Sequence, residues 1–154
     1  MAAKESAMYK HILIPTDGSE LSDKAVREGI ELALSMKARV TVFTASPPFH
    51  AFATESEPLL SADARTLYAA GAEERAAARL RPGLEYARAK GVPARTRHVF
   101  AERPYEAIIA IAAKEGCDLV CMASHGRKGI AGLLVGSETN KVLTHSKVPV
   151  LVCR

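Results

Sequence analysis

The residues with the most chemistry to offer lie between positions 122 and 140, in "MASHGRKGIAGLLVGSETN". Gly126 and Gly136 bracket a segment that carries Arg127 and Lys128, and Ser137 follows the second glycine directly. An apolar run precedes the segment and a helix-like run follows it. A helix start leaves several backbone N–H groups without intrahelical partners. Its dipole adds partial positive charge, worth roughly 0.3–1 kcal/mol to an anion. Gly136 offers backbone free of Cβ just before that start. Ser137 can cap the helix or turn its hydroxyl toward a phosphate. Gly126 permits a turn or a close approach at the end of the preceding strand, and two cations follow it. Together these features suit an anion, in particular the phosphates of a nucleotide. The competing reading is capping alone, because glycine and serine before a helix commonly do only that.

Asp17, in "PTDGSE", is the second candidate. It follows another apolar strand, so its carboxylate is available to ribose hydroxyls, an amine or a metal. It fits a turn or cap aspartate equally well. Val42 suits either an apolar wall for a base or the core. His125, inside the glycine-bracketed loop, can donate to a phosphate or cap the turn. His11, His50, His98 and His145 show no metal-ligand spacing and are expected to be structural or solvated. Several enzyme templates are missing. No GxxxxGK[ST] phosphate loop, no GxGxxG after the first strand and no GxSxG elbow occurs. The acidic pair of a phosphoacceptor domain is absent after strand one. No general base stands out, so any hydrolysis is expected to be slow.

These residues need elements to hold them. The pattern predicts five strands alternating with four helices. Strands are expected at 9–15, 39–46, 92–100, 118–124 and 148–153. Helices are expected at about 19–36, 64–90, 104–114 and 137–146, with Pro82–Gly83 kinking or splitting the second. Gly116 falls where a C-cap belongs. Residues 47–63 contain three prolines and no periodicity, which makes them a long loop and a candidate lid. Alternating strands and helices imply an open parallel sheet with helices on both faces. Two strand orders compete, 3-2-1-4-5 and 2-1-3-4-5. Strands one and four are almost continuously apolar, as central strands are, whereas "ARTRHVF" is polar, as an edge is. The order 3-2-1-4-5 follows. It places the crevice where connections diverge between strands one and four, below the two unusual loops.

The chain has 154 residues, 48% apolar and 25% charged, with a net charge of +4. That suggests one domain with a substantial core. No basic run points to nucleic acid. No apolar stretch is long enough to cross a bilayer as a helix. Cys117, Cys121 and Cys153 form no CxxC motif and suit small buried side chains. An odd count without a paired framework suggests a reducing compartment, so a cytoplasmic protein is expected.

With these features assembled, the chain resembles the universal stress proteins over essentially its whole length. The ATP-binding members of that family carry G-2x-G-9x-G-[ST] after strand four. Here Ala123, Ser124, His125 and Gly126 are followed by nine residues and then Gly136-Ser137. "HILIPTDGSE" and "SKVPVLVCR" resemble the family's opening and closing strands. The resemblance implies ATP as ligand, with Mg2+ or Mn2+. It places Pro15, Thr16, Asp17 and Val42 on the adenosine side. Gly126, Arg127, Gly136, Ser137 and Glu138 fall on the ribose and phosphate side, and Met122, Ala123, Ser124 and His125 line the crevice between. It also implies a homodimer joined through 148–153, and an apolar edge strand there would independently favour such pairing. Ala123 departs from the motif's first glycine. If that position needs positive φ, alanine is strained by roughly 1 kcal/mol; if it needs only closeness, the methyl narrows the site. A nucleotide-free dimer acting through protein contacts is the second reading.

Overall fold

The computed structural model describes residues 8–49, 62–126 and 135–154. Arg127, Lys128 and most of the expected 47–63 loop lie outside the described residues. Nine elements alternate along the described chain: β1 (His11–Pro15), α1 (Glu20–Met36), β2 (Arg39–Ser46), α2 (Ala62–Ala89), β3 (Ala94–Phe100), α3 (Pro104–Glu115), β4 (Leu119–Ala123), α4 (Ser137–His145) and β5 (Val150–Cys153). The strands form one parallel sheet in the order β3-β2-β1-β4-β5. This is the order that strand polarity favours. β1 and β4 are buried at every position, while β3 has no fully buried residue.

Successive strand residues face opposite sides of the sheet, so the core divides in two. Ile12, Ile14, Val40, Val42, Cys121 and Ala123 pack with Ala25, Val26 and Ile30 of α1 and Leu80 of α2. Leu13, Phe43, Val120 and Met122 pack with Ile108 and Ile111 of α3 and Val142 of α4. α1 and α2 therefore cover one face, and α3 and α4 the other. Among the largest fully buried side chains are Ile12, Leu13, Ile14 and Phe43.

Local chemistry sets the element ends. β1 starts at His11 and not at Tyr9, because the Asp118 carboxylate takes the N–H groups of Lys10 and His11 at 2.9–3.1 Å. β5 starts at Val150 and not at 148. Pro149 has no N–H to give, and the Val148 N–H goes to the Ser146 hydroxyl at 3.2 Å. α2 begins at Ala62, two residues before the expected 64, and runs unbroken through Pro82. Gly83 does not mark a break. A Cβ there would lie 2.9 Å from Val26 and 3.4 Å from Val42, so the glycine lets α2 approach the sheet closely. α3 has proline in its first turn and Gly116 as a left-handed C-cap at φ 66°, as expected.

Candidate nucleotide site at the ends of β1 and β4

The two central strands separate where the ligand is expected. β1 and β4 pair through Ile12–Leu119 and Leu13–Val120 only. β1 continues beside β2 to Pro15–Phe43, and β4 continues beside β5 to Ala123–Cys153. The central ladder thus ends early, and the carboxyl ends of β1 and β4 splay apart. This is the crevice expected where the helical connections diverge to opposite faces.

The loop after β1 is held by its own short side chains. The Thr16 N–H donates to the Phe43 carbonyl at 2.8 Å, which carries the β1–β2 pairing one residue beyond Pro15. The Thr16 hydroxyl bonds the Ser22 hydroxyl at 2.9 Å and accepts from the Gly18 N–H at 3.1 Å. Asp17 Oδ1 accepts from the Ser19 N–H at 2.9 Å, an Asx turn. The Ser19 hydroxyl then accepts from the Ser22 N–H at 3.3 Å and caps α1. Gly18 sits at φ 74°, where a side chain would be strained.

Across the crevice, the loop after β4 meets that turn. A Cβ built on Gly126 would lie 2.5 Å from Asp17 Oδ2, so only glycine lets the carboxylate rest against this backbone. The need here is contact; the backbone of Gly126 has no positive φ. Gly136 is also placed for closeness, at φ −68°. A Cβ on it would lie 3.2 Å from the Ser124 carbonyl and 3.4 Å from His125 Cα. The Gly136 N–H donates to that same Ser124 carbonyl at 2.7 Å. The Ser124 hydroxyl shares a hydrogen bond with His125 Nδ1 at 2.9 Å.

α4 therefore starts directly over the end of β4. Gly136 is the cap residue and, having no side chain, offers no cap of its own. Ser137, read from sequence as a possible cap, is instead the first helical residue, so capping is not the role of its hydroxyl. The first-turn amides and the dipole of α4 lie at the crevice without a side chain of this helix set against them.

The structure gathers Pro15, Thr16, Asp17, Ser124, His125, Gly126, Gly136 and Ser137 at these strand ends. Other expected residues are engaged elsewhere. The Val42 side chain is fully buried beneath α2 against Gly83 and forms core, not an open wall for a base. The Glu138 carboxylate accepts from the Tyr105 N–H at 3.0 Å and from Lys141 Nζ at 2.9 Å, so it ties α4 to the start of α3. The Met122 side chain packs in the α3–α4 half of the core. The Ala123 methyl packs in the α1–α2 half, and its backbone is strand paired with Cys153. Alanine at 123 is therefore not strained by a positive φ. Thr139 went unnoticed in the sequence. Its hydroxyl donates to the Ala123 carbonyl at 2.9 Å, and it is buried. Nothing in its type or spacing separates it from an ordinary helical threonine.

At the opposite end of the sheet, His11 is 1% exposed and its ring is fully engaged. Nε2 meets the Thr41 hydroxyl at 2.8 Å and Nδ1 meets the Glu115 carbonyl at 3.1 Å. Arg95 Nε also donates to Thr41 Oγ1, at 3.2 Å. Arg95 and Arg97 both pair with the Glu115 carboxylate. This hydrogen-bonded and ion-paired network reads as structure, as expected for His11. The three cysteines are buried and unbridged. Burial pushes the Cys117 thiol up to about 11, away from reactivity. An open groove of about 520 Å³ between the end of β3 and α3, lined by Val99, Phe100, Arg103 and Ile111 among others, lies outside the crevice. Among the described residues, no group of three His, Cys, Asp or Glu side chains is placed to hold a metal ion. Among them too, no helix is long and apolar enough to cross a membrane.

Comparison with known proteins agrees with this architecture. The model of the universal stress protein family matches residues 8–154. A universal stress protein of Methanocaldococcus jannaschii is 31% identical over 150 residues, which cover 96% of this chain and 83% of the relative. Universal stress protein E of Escherichia coli K12 is 30% identical over 119 residues; the match takes in 77% of this chain and only 37% of that longer protein. A crystal structure of a universal stress protein in complex with cAMP superposes with a TM-score of 0.65 at 26% identity, covering 95% of this chain and 97% of the other. The fold, the strand order and the match along almost all of the sequence lead to one conclusion: the chain belongs to the universal stress protein family.

Proposed function

We propose that the chain binds ATP in the crevice between β1 and β4 and acts as a dimeric stress-response module. The observation that carries the reading is the convergence of the Asp17 turn, Gly126 and the glycine-capped start of α4 where the central ladder ends. Pro15, Thr16 and Asp17 would flank the adenosine, with Val42 contributing only through its backbone. The first-turn amides of α4, the Ser137 hydroxyl and Arg127 would meet the phosphates, with His125 and Gly126 beside them. Glu138 would act through its backbone N–H. The cAMP-bound relative supports an adenine nucleotide as the ligand class. With no cluster of metal-ligating side chains among the described residues, Mg2+ or Mn2+ would arrive coordinated by the phosphates. A cytoplasmic site of action, where ATP is abundant, fits the unbridged cysteines.

The dimer would form through β5. This edge carries Val150, Leu151 and Val152, with Leu151 43% exposed. The nucleotide-free alternative drew its support from a strained or obstructing Ala123. The strain is absent and the methyl lies in the core, so no observation favours that reading over the first.

Calorimetry of the purified protein with ATP tests the proposal directly. Saturable binding is expected. Gly136→Asp should abolish it, since a carboxylate would stand against the Ser124 carbonyl and oppose the phosphates. Absence of heat with the unaltered protein at millimolar ATP would discard the reading.

A further inference from the structure

We infer that Thr139 is a positioning residue for the nucleotide site, setting the direction in which α4 presents its first-turn amides. This rests on the nucleotide reading above. The backbone groups of alternate strand residues point to opposite neighbours. On β4, the N–H groups of Val120 and Ser124 turn toward β5, donating to Pro149 and Cys153 at 3.0 and 2.8 Å. Ala123 must then turn its own backbone groups toward β1. β1 no longer pairs at that level, because the central ladder ends at Leu13–Val120. The Ala123 carbonyl is thus left facing the crevice, and a buried carbonyl needs a partner. Thr139 supplies it, with a hydroxyl at 2.9 Å on a residue 3% exposed.

Two consecutive carbonyls of the β4 end therefore hold the first turn of α4. Ser124 holds it through the Gly136 N–H, and Ala123 holds it through the Thr139 hydroxyl. The first tie is main chain and survives any side-chain change. The second depends on one hydroxyl. Without it, the helix start is free to tilt about the remaining tie, and the unpaired carbonyl draws in water or another donor. Hydrogen bonds weaken steeply with misdirection, so the phosphate contacts suffer. The base contacts lie on the β1 side, and adenosine carries no phosphate to meet the α4 amides, so it depends far less on the tilt of α4.

The experiment compares ATP and adenosine, the latter by competition against ATP, on the full chain. Thr139→Val keeps shape and burial but removes the donor. It is expected to weaken ATP by about tenfold, the worth of roughly one well-placed hydrogen bond, and to leave adenosine within about twofold. Thr139→Ser, which keeps the donor, should restore most of the ATP affinity. If the valine variant does not fold, Thr139→Ala reads the same ratio from a better helix former. A merely structural role would lower thermal stability while both affinities fall together or neither falls; an unchanged ratio of ATP to adenosine affinity overturns the inference. If the unaltered protein binds no ATP, the nucleotide reading itself fails and this inference with it. If the unaltered protein binds and the ratio holds in the variant, only the inference fails.

Discussion

The contact between Asp17 and Gly126 joins two loops that are more than one hundred residues apart in sequence. Adding one methyl to Gly126 would place it 2.5 Å from Asp17 Oδ2, inside any tolerable contact. Gly126→Ala should therefore displace the carboxylate, at only a small cost in stability, because the atom that must yield is the far end of a half-buried side chain. It should also weaken ATP binding. Asp17→Ala in the same chain removes the obstacle. The stability losses of the double variant should then fall short of the sum of the two single losses, as read from urea unfolding midpoints. Strict additivity would mean that the two residues do not touch. Both residues were visible in sequence as a glycine and an acid after apolar strands. Their contact was not, because nothing in local spacing reports which loops face each other until the strand order is known. Glu138 shows the limit in the other direction. Its position suited a phosphate site, yet its carboxylate serves the Tyr105 N–H, a partner that only tertiary structure could supply.

At the scale of elements, the network beneath β1, β2, β3 and α3 ties the sheet's lower end to pH. His11 has its pKa lowered, first by burial and then by Arg39 and Arg95, with the Glu115 carbonyl and carboxylate opposing in part. The neutral ring is the form that fits. Nδ1–H donates to the Glu115 carbonyl, and Nε2 accepts from the Thr41 hydroxyl. A proton on Nε2 would confront a hydroxyl that already accepts from Arg95. The unfolded histidine takes up its proton near pH 6.5, before the folded one does. The stability contributed by neutral His11 is thus complete above about pH 6.5 and is lost as pH falls below it, by at most about 1.4 kcal/mol per pH unit. The Glu115 carboxylate, held low chiefly by Arg97, adds a second loss in the acid range below the usual carboxylate pKa. Thermal melts from pH 7.5 to 5 should show the first decline, and His11→Gln should flatten it. A histidine protein whose melting point is level across that range would contradict the account. The helices show how packing overrides local rules. Pro82–Gly83 reads as a break, yet α2 continues through both, and the missing side chain at 83 lets the helix lie close to Val26 and Val42.

For the whole molecule, the strand order was legible because polarity follows position. β3 alternates between half-buried and exposed residues, while β1 and β4 are buried throughout. The end of the central ladder at Leu13–Val120 falls where Pro15 would next face β4 without an N–H to give, because the even-numbered neighbour Thr16 turns to Phe43 of β2; the proline was visible in sequence, but which neighbour it faces was not. The two margins of the sheet differ in kind. β3 presents Arg95 and Arg97, both locked to Glu115. β5 presents Val150, Leu151 and Val152 without a charge. Leu151→Arg should therefore give a monomer in sedimentation at micromolar concentration, with ATP affinity unchanged within about twofold. A dimer that persists with the arginine in place would put the interface elsewhere.

This asymmetry has a consequence for assembly. Two copies joined along their bare margins would make one continuous sheet, five strands from each, with the polar β3 at both of its new outer rims. A third copy would find no uncharged rim on which to extend it. Growth through the apolar margin would then stop at two, because a two-fold pair uses up that margin on both copies.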